Sequence, residues 1–440
     1  MKPATLDGWM AARAGLTEPF TRNEVAAWQV ERLRDVVAYA HAASPFYRAR
    51  GAAPKIATLA DLERLPFTTA TDLMRNEPPL LALSQGAVSR VVTLASSGTS
   101  GAPKRLHFSA QDRDATLDFF QHGMALFTRP GDRVAITFPG GHVGGIADGL
   151  SVALCRLGAE PRPAPSPLDA LALAKWLGDE RPDVIAGPPV PLLAAARAAA
   201  ESLSPLAARA LLLSSDHVAG SLARAVAAAY GGEVFRHWGM TETGYGGAVE
   251  CACHAGCHLR ENELFVEIVD PATGAPLPAG ALGEIVLTTL SRRAVPLLRY
   301  RTGDLARLLE ERCRCGSVLR RLDDFSGRLE ERAHLSCGDL SMPRLDEALF
   351  ALDGISDFAA NFEEGEPPRL AVTIAAPAPL RRAALREAAH AALIDDPVIG
   401  ATAGEGRLHI EVSFAEATLI ARPGKRRLVI RRSEPCARCC

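Results

Sequence analysis

Between Ser96 and Lys104 the chain sets Ser96, Ser97, Thr99 and Ser100 around Gly98 and Gly101, then ends on Lys104. A strand-like run, Val91-Val92-Thr93-Leu94, leads into the stretch. After a strand, such a loop exposes backbone N–H groups while hydroxyls and an ammonium converge, which suits a polyphosphate. Two residues separate Gly98 from Gly101, and Pro103 precedes Lys104, so the spacing is not that of a P-loop. Taken alone, the stretch also fits a solvated turn.

Three further stretches give the loop company. HWGMTETG (237–244) follows a strand-like VFRH, RYRTGDL (299–305) sits at a strand boundary, and GRLEE (327–331) opens a change in composition. Lys425 lies in a late RPGKRRL. In this order the motifs resemble the adenylate-forming enzymes: acyl- and aryl-CoA synthetases, adenylation domains and luciferases. WQVERLRDVVAYAHAASPFYRAR, LADLERLPFTTATDL and FRHWGMTETG look like the phenylacetate–coenzyme A ligase branch.

The resemblance implies roles by position. Ser96, Ser97, Gly98, Thr99, Ser100, Gly101 and Lys104 would grip the β- and γ-phosphates of ATP. Trp238, with Gly239 after it, resembles the adenine and acyl pocket. Thr241 would contact the α-phosphate, and Glu242, read as a solvent-facing carboxylate, would hold Mg²⁺. Asp304 would accept the ribose hydroxyls. Arg328 would neutralise phosphate or ribose oxygens, and Lys425 would stabilise charge during adenylation. FPGGHVGG lies where this branch has its acyl pocket, which offers Phe138, Gly140, Gly141 and His142. Leu329, Glu330 and Glu331 stand where the family usually has aspartates, with Glu330 at the pivot.

The implied reaction joins two anions, a carboxylate and ATP. Catalysis is then charge neutralisation and in-line positioning by Mg²⁺, Lys and Arg. The expected activity is an AMP-forming acid–CoA ligase acting on an aryl or acyl acid, with ATP and coenzyme A as co-substrates. Transfer to a carrier-protein thiol or an amine is one alternative. A non-catalytic nucleotide-binding scaffold is another.

Eight of the ten cysteines fall in three groups: Cys251, Cys253 and Cys257; Cys313 and Cys315; Cys436, Cys439 and Cys440. In a reducing compartment such clustering reads as metal binding before disulfides, and thiolates with imidazole form closed structural zinc sites. Related ligases pair a Cys, six residues and a His, which Cys251 and His258 match. The zinc set is therefore Cys251, His258, Cys313 and Cys315, with Cys253, His254 and Cys257 as substitutes. CARCC at the end has no assigned role.

These residues need a scaffold. The 440 residues suffice for two or three domains, and 48% hydrophobic with 23% charged residues is ordinary for a globular chain. A net charge of −2 gives no basic field for nucleic acid, and neither a membrane span nor a secretory signal stands out, so the cytoplasm is expected. A homodimer stays open. Amphipathic residues 24–43 and 111–127 read as helices. VAITF, DVIAG and ALLLSS read as buried parallel strands alternating with helices, an α/β sheet. ELFVEIVD, GEIVLTTL and DLARLLEE look antiparallel or barrel-like. The expected fold is a large N-terminal α/β domain, residues 1–327, with flanking helices and a barrel-like β element. Residues 328–440 would form a small mobile α+β lid.

Overall fold

The computed structural model describes residues 4–94, 104–138, 144–165, 168–202, 205–376, 382–416 and 425–431. The fold is mixed α/β and divides into two compact units. One comprises Met1–Gly131, His142–Glu160 and Phe235–Phe325; the other comprises Asp132–Gly141, Pro161–Val234 and Ser326–Cys440.

In the first unit the long helix Arg22–Ala43 starts at a capping box, where Thr21 and Glu24 satisfy each other's backbone N–H groups. Val25, Leu33, Val36, Val37 and Ala40 recur at helical spacing and are buried. Strands Glu233–Trp238, Ala248–Glu250, Cys257–Leu259, Arg321–Asp323, Tyr300–Leu308, Leu282–Thr289 and Leu264–Val269 lie side by side in that order, the pairs antiparallel throughout. The antiparallel expectation for residues after 262 thus holds. RYRTGDL straddles the start of the strand Tyr300–Leu308, with Arg299 just before it, as expected of a motif at a strand boundary. Gly303, at φ 76°, kinks that strand there, a conformation open to glycine at little cost.

One polar knot ties the N-terminal helices to this strand. The Tyr47 hydroxyl is buried against Thr68 Oγ1 and accepts the Leu298 N–H at 3.0 Å. Burial pushes its pKa up to about 12, so it remains a neutral donor and acceptor. The Thr68 N–H donates to Arg299 O, and the Arg301 N–H donates to Thr68 O, which clamps Tyr300 from both sides. A short hairpin, Arg90–Leu94 with Lys104–Phe108, pairs Leu94 with Lys104.

The second unit contains parallel strands Arg133–Ile136, Val184–Gly187 and Ala210–Leu213, all but Arg133 buried, as their near-continuous apolar runs foretell. Helices Ala170–Glu180 and Gly220–Tyr230 bury Leu173, Leu177, Leu222 and Val226 into the same core. Residues after 326 add a four-stranded mixed sheet in the order His409–Phe414, Arg369–Ala375, Asp357–Glu363, Val429–Arg431. The last strand lies in what reads in the sequence as a basic tail. Among the described residues no helix is long and apolar enough to cross a membrane.

Candidate active site and candidate metal centre

Lys104 opens the second strand of the hairpin, so its backbone is fixed by the register with Leu94. Its Nζ forms an ion pair with Glu242 Oε1, from a residue 138 positions away in the chain. Glu242 sits in a single 3-10 turn, Thr241–Thr243, closed by Gly244 at φ 70°. The carboxylate is not solvent-facing as the sequence suggests: Glu242 is 1% exposed. The Tyr300 hydroxyl donates to the same Oε1 at 2.9 Å. A buried carboxylate that pairs with a lysine and accepts from a phenol is compensated in both charge and hydrogen bonding.

Two arginines hold the backbone of this turn. Arg292 donates to Glu242 O, and Arg260 donates to Thr243 O at 3.3 Å and Gly246 O at 3.4 Å. Both are buried, and burial pushes Arg260 down to about 10. Gly244 leaves room for this arrangement, because a Cβ there would press on Thr116 Oγ1 and the Arg292 guanidinium. Tyr300, Arg260 and Arg292 escape a reading of the sequence. Tyr300 lies inside a recognised motif, but neither arginine carries a local signal, since their partners lie 14 to 50 residues away.

Trp238 ends the strand Glu233–Trp238, and its Nε1–H donates to Asp304 Oδ2 at 3.0 Å. Phe325 stacks on the indole at 6.5 Å with 15° between planes. The kink at Gly303 turns Asp304 into place: Glu284 accepts the Gly303 N–H, and Thr302 Oγ1 accepts the Asp304 N–H, both at 3.0 Å. Close packing explains the glycines after Trp238, since a Cβ on Gly239 would meet Tyr245 O and one on Gly247 the indole ring.

Thus Lys104, Thr241 and Glu242 come together, as do Trp238 and Asp304. Ser96, Ser97, Gly98, Thr99, Ser100, Gly101, Gly140, Gly141 and His142 lie outside the described residues. Phe138 is described and is buried, in the second unit. Arg328 and Lys425 also belong to the second unit, and both are exposed. Lys425 is nonetheless anchored. Next to it, Arg426 is buried, pairs with Asp346, lies 3.4 Å from Asp357 and covers the Phe358 ring at 4.4 Å. Burial acts to lower the pKa of Arg426, but Asp346, Asp216 and Asp357 together raise it.

The cysteine set resolves cleanly. Cys251 follows the strand Ala248–Glu250, His258 lies in Cys257–Leu259, and Cys313 and Cys315 occupy the loop before Arg321–Asp323. Cys251 Sγ and Cys313 Sγ are 3.6 Å apart, Cys315 Sγ and His258 Nε2 3.4 Å, and all four donor atoms lie within 4.8 Å of one another. Ligands on a tetrahedral zinc, at ~2.3 Å for sulfur and ~2.0–2.1 Å for nitrogen, sit ~3.6–3.8 Å apart, so the set fits that ion. All four residues are buried, and a cation held by the three thiolates and His258 Nε2 would compensate so dense a group of donor atoms. Of the substitutes, Cys253 packs against the cluster without belonging to the four-residue set, and the other two are engaged elsewhere. The Cys257 thiol faces Arg236 O, and His254 lies 3.6 Å from Glu250 and packs on Phe235.

With this geometry established, kinship can be placed. The family model "AMP-binding enzyme" matches residues 51–291, and the chain belongs to that family. Within it, the chain falls in the phenylacetate–coenzyme A ligase-like branch. The phenylacetate-coenzyme A ligase of Thermus thermophilus is 33% identical over 334 residues, 71% of this chain and 72% of that protein. The Escherichia coli K12 protein of the same name is 29% identical over 348 residues, 76% of this chain and 78% of its own. A crystal structure of 2-hydroxyisobutyryl-CoA ligase, in complex with 2-HIB-AMP in the postadenylation state, has the same fold: TM-score 0.79, 22% identity, covering 94% of this chain and 90% of that one.

Proposed function

We propose that the chain is an AMP-forming acid–CoA ligase that activates an aryl or acyl carboxylic acid with ATP and passes the acyl group to coenzyme A. The observation that carries this reading is the meeting of Lys104, from the end of the Ser/Thr/Gly loop, with Glu242 and Tyr300. A polyphosphate entering there would draw the lysine, and a hard cation would draw the carboxylate. Four curated relatives named phenylacetate-coenzyme A ligase support it, at 29–33% identity.

In the first half-reaction the acid's carboxylate attacks the α-phosphorus of ATP and pyrophosphate leaves. The carboxylate is already ionised, so no general base is needed. Lys104 and the loop Ser96–Gly101 hold the β- and γ-phosphates. Thr241 meets the α-phosphate, and Asp304, kept in place by Trp238, accepts the ribose hydroxyls. Arg328 and Lys425 neutralise developing charge. Glu242 would hold Mg²⁺, which supplies charge neutralisation to the phosphates when bound. Phe138, Gly140, Gly141 and His142 border the acyl group. In the second half-reaction the CoA thiol attacks the acyl carbonyl and AMP leaves.

Residues 1–327 form the catalytic body in this reading and 328–440 the mobile lid. Cys251, His258, Cys313 and Cys315 hold a structural zinc that ties the Cys313–Cys315 loop to two neighbouring strands. The reducing cytoplasm suits those thiols.

Acid-dependent exchange of labelled pyrophosphate into ATP, run across a panel of carboxylic acids with and without CoA, tests the reading. Exchange with at least one acid, and thioester once CoA is added, is expected. Exchange without thioester would shift the reading to a carrier-protein or amine acceptor. No exchange with any acid would leave the nucleotide-binding scaffold.

A further inference from the structure

A pocket in the first unit lies against the Thr241–Gly244 turn, with Gly244 and Tyr245 in its wall. Phe108 and Phe120 provide apolar surface. Its charged lining among the described residues is one-sided: Arg90 and Arg113 border it and no carboxylate does, while Asp148, behind the wall, is engaged by the Gly144 N–H at 2.7 Å. Arg113 donates to Ser89 Oγ at 3.3 Å. Among the described residues Arg90 has neither an acidic partner nor a hydrogen bond, although it lies at the start of a paired strand, opposite Phe108.

The guanidinium of Arg90 rests on the backbone of Gly144, which has φ 77°; a Cβ at 144 would collide with Nη1. The chain therefore leaves a glycine where the arginine needs room. Tyr245 adds a donor. Its hydroxyl has no partner among the described residues, burial raises its pKa, and the Arg90 charge acts on it in the opposite sense. Tyr245 itself holds a left-handed backbone, φ 67°, uncommon outside glycine. A guanidinium unpaired among the described residues, beside a phenol and in a pocket whose described lining holds no acid, is a receptor for an anion, and arginine suits a planar carboxylate. The reacting carboxylate belongs at the Thr241–Glu242 turn, so the anion received by Arg90 is a second one.

We propose that the acid activated by this enzyme carries a second carboxylate, received in this pocket by Arg90 and the Tyr245 hydroxyl. The inference rests on the ligase reading above and names the substrate class of that site. A dicarboxylic acid binds in one orientation, with one carboxylate on Arg90 and the other at the turn. A plain aryl or alkyl acid of the same length leaves the guanidinium without its partner.

The test measures kcat/KM for pyrophosphate exchange with matched pairs: succinate and butyrate, glutarate and valerate, 4-carboxyphenylacetate and phenylacetate. Wild type should favour the diacid of at least one pair by tenfold or more. Arg90→Met should abolish that preference through KM for the diacid, with kcat and KM for the monoacid and for ATP little changed. Arg90→Lys should restore part of it. An unaltered melting temperature checks that Arg90→Met folds. If wild type prefers the monoacid in every pair, or if Arg90→Met weakens all acids or ATP alike, the inference is overturned while exchange itself keeps the ligase reading. If no acid of any kind supports exchange, the ligase reading fails and takes this inference with it.

Discussion

Replacing Glu242 with Gln removes one charge from a buried pair and keeps the size of the side chain. The consequence follows from the surroundings. Glu242 is 1% exposed, accepts the Tyr300 hydroxyl at 2.9 Å and pairs with Lys104, whose side chain is 18% exposed. An amide oxygen can still take the Tyr300 proton, so that contact survives. Lys104 loses its counter-charge but keeps some water, so the stability cost is about 1–3 kcal/mol, below that of stranding a fully buried ion. Thermal unfolding of the variant should therefore move down by several degrees without loss of cooperativity. Binding should show the larger effect. A nucleotide at one hundred times its Kd stabilises the wild type by about 2.7 kcal/mol, and the variant should gain distinctly less. Pyrophosphate exchange should fall about 10²–10³-fold, the usual loss when a preorganised electrostatic contact is removed. Exchange within tenfold of wild type, with an undiminished ATP shift, would make Glu242 a purely structural carboxylate with no part in binding the nucleotide.

Four more outcomes are expected. Lys425→Ala should cut acyl-adenylate formation about 10²–10³-fold yet leave thioester formation from supplied acyl-adenylate largely intact; rapid-quench assays of each half-reaction separate the two, and equal losses would contradict the role. The purified protein should contain about one zinc per chain, and Cys313→Ser should lose metal and thermal stability together, as measured by elemental analysis and calorimetry; protein purified without chelator that holds no zinc would oppose this. Arg292→Met should leave the Glu242 carbonyl unpaired and lower kcat for exchange more than KM for ATP, whereas a change confined to melting temperature would limit Arg292 to stability. Burial alone would raise the pKa of Glu261, but the charges of Arg320 and Arg22 overcome it and hold the carboxyl below its ordinary value. That contribution is complete above the unfolded pKa of about 4.3 and is lost as pH falls through the lower folded value, so Glu261→Gln should flatten the acid limb of a stability–pH curve.

Motif order made much of the site legible. SSGTSGAPK, HWGMTETG and RYRTGDL each carry residue types whose chemistry is local, and the structure brings Lys104 to Glu242 and Trp238 to Asp304. Apolar runs such as DVIAG and ALLLSS gave away buried parallel strands for the same reason: burial on both faces leaves no alternation to misread. What stayed hidden was non-local. A carboxylate in a polar-looking turn reads as exposed, yet Glu242 is buried because Tyr300 and Lys104 reach it from 58 and 138 residues away. Arg292 and Arg260 look like surface charges in SRRAV and HLREN, and only the fold points them at carbonyls. The strand Val429–Arg431 pairs in parallel with Asp357–Glu363, a partner that no local pattern of a basic segment announces. The Cys251, His258, Cys313 and Cys315 cluster was the exception among long-range features, because cysteine and histidine are scarce enough for their grouping to be a signal in itself.

In this reading the chain couples an acid to coenzyme A through an adenylate. The most direct measurement follows product stoichiometry with the purified protein, ATP, CoA and the acid that best supports exchange. One acyl-CoA, one AMP and one pyrophosphate per acid consumed are expected, with acyl-adenylate detectable when CoA is left out. ADP and phosphate as products, or thioester formed without AMP, would contradict it.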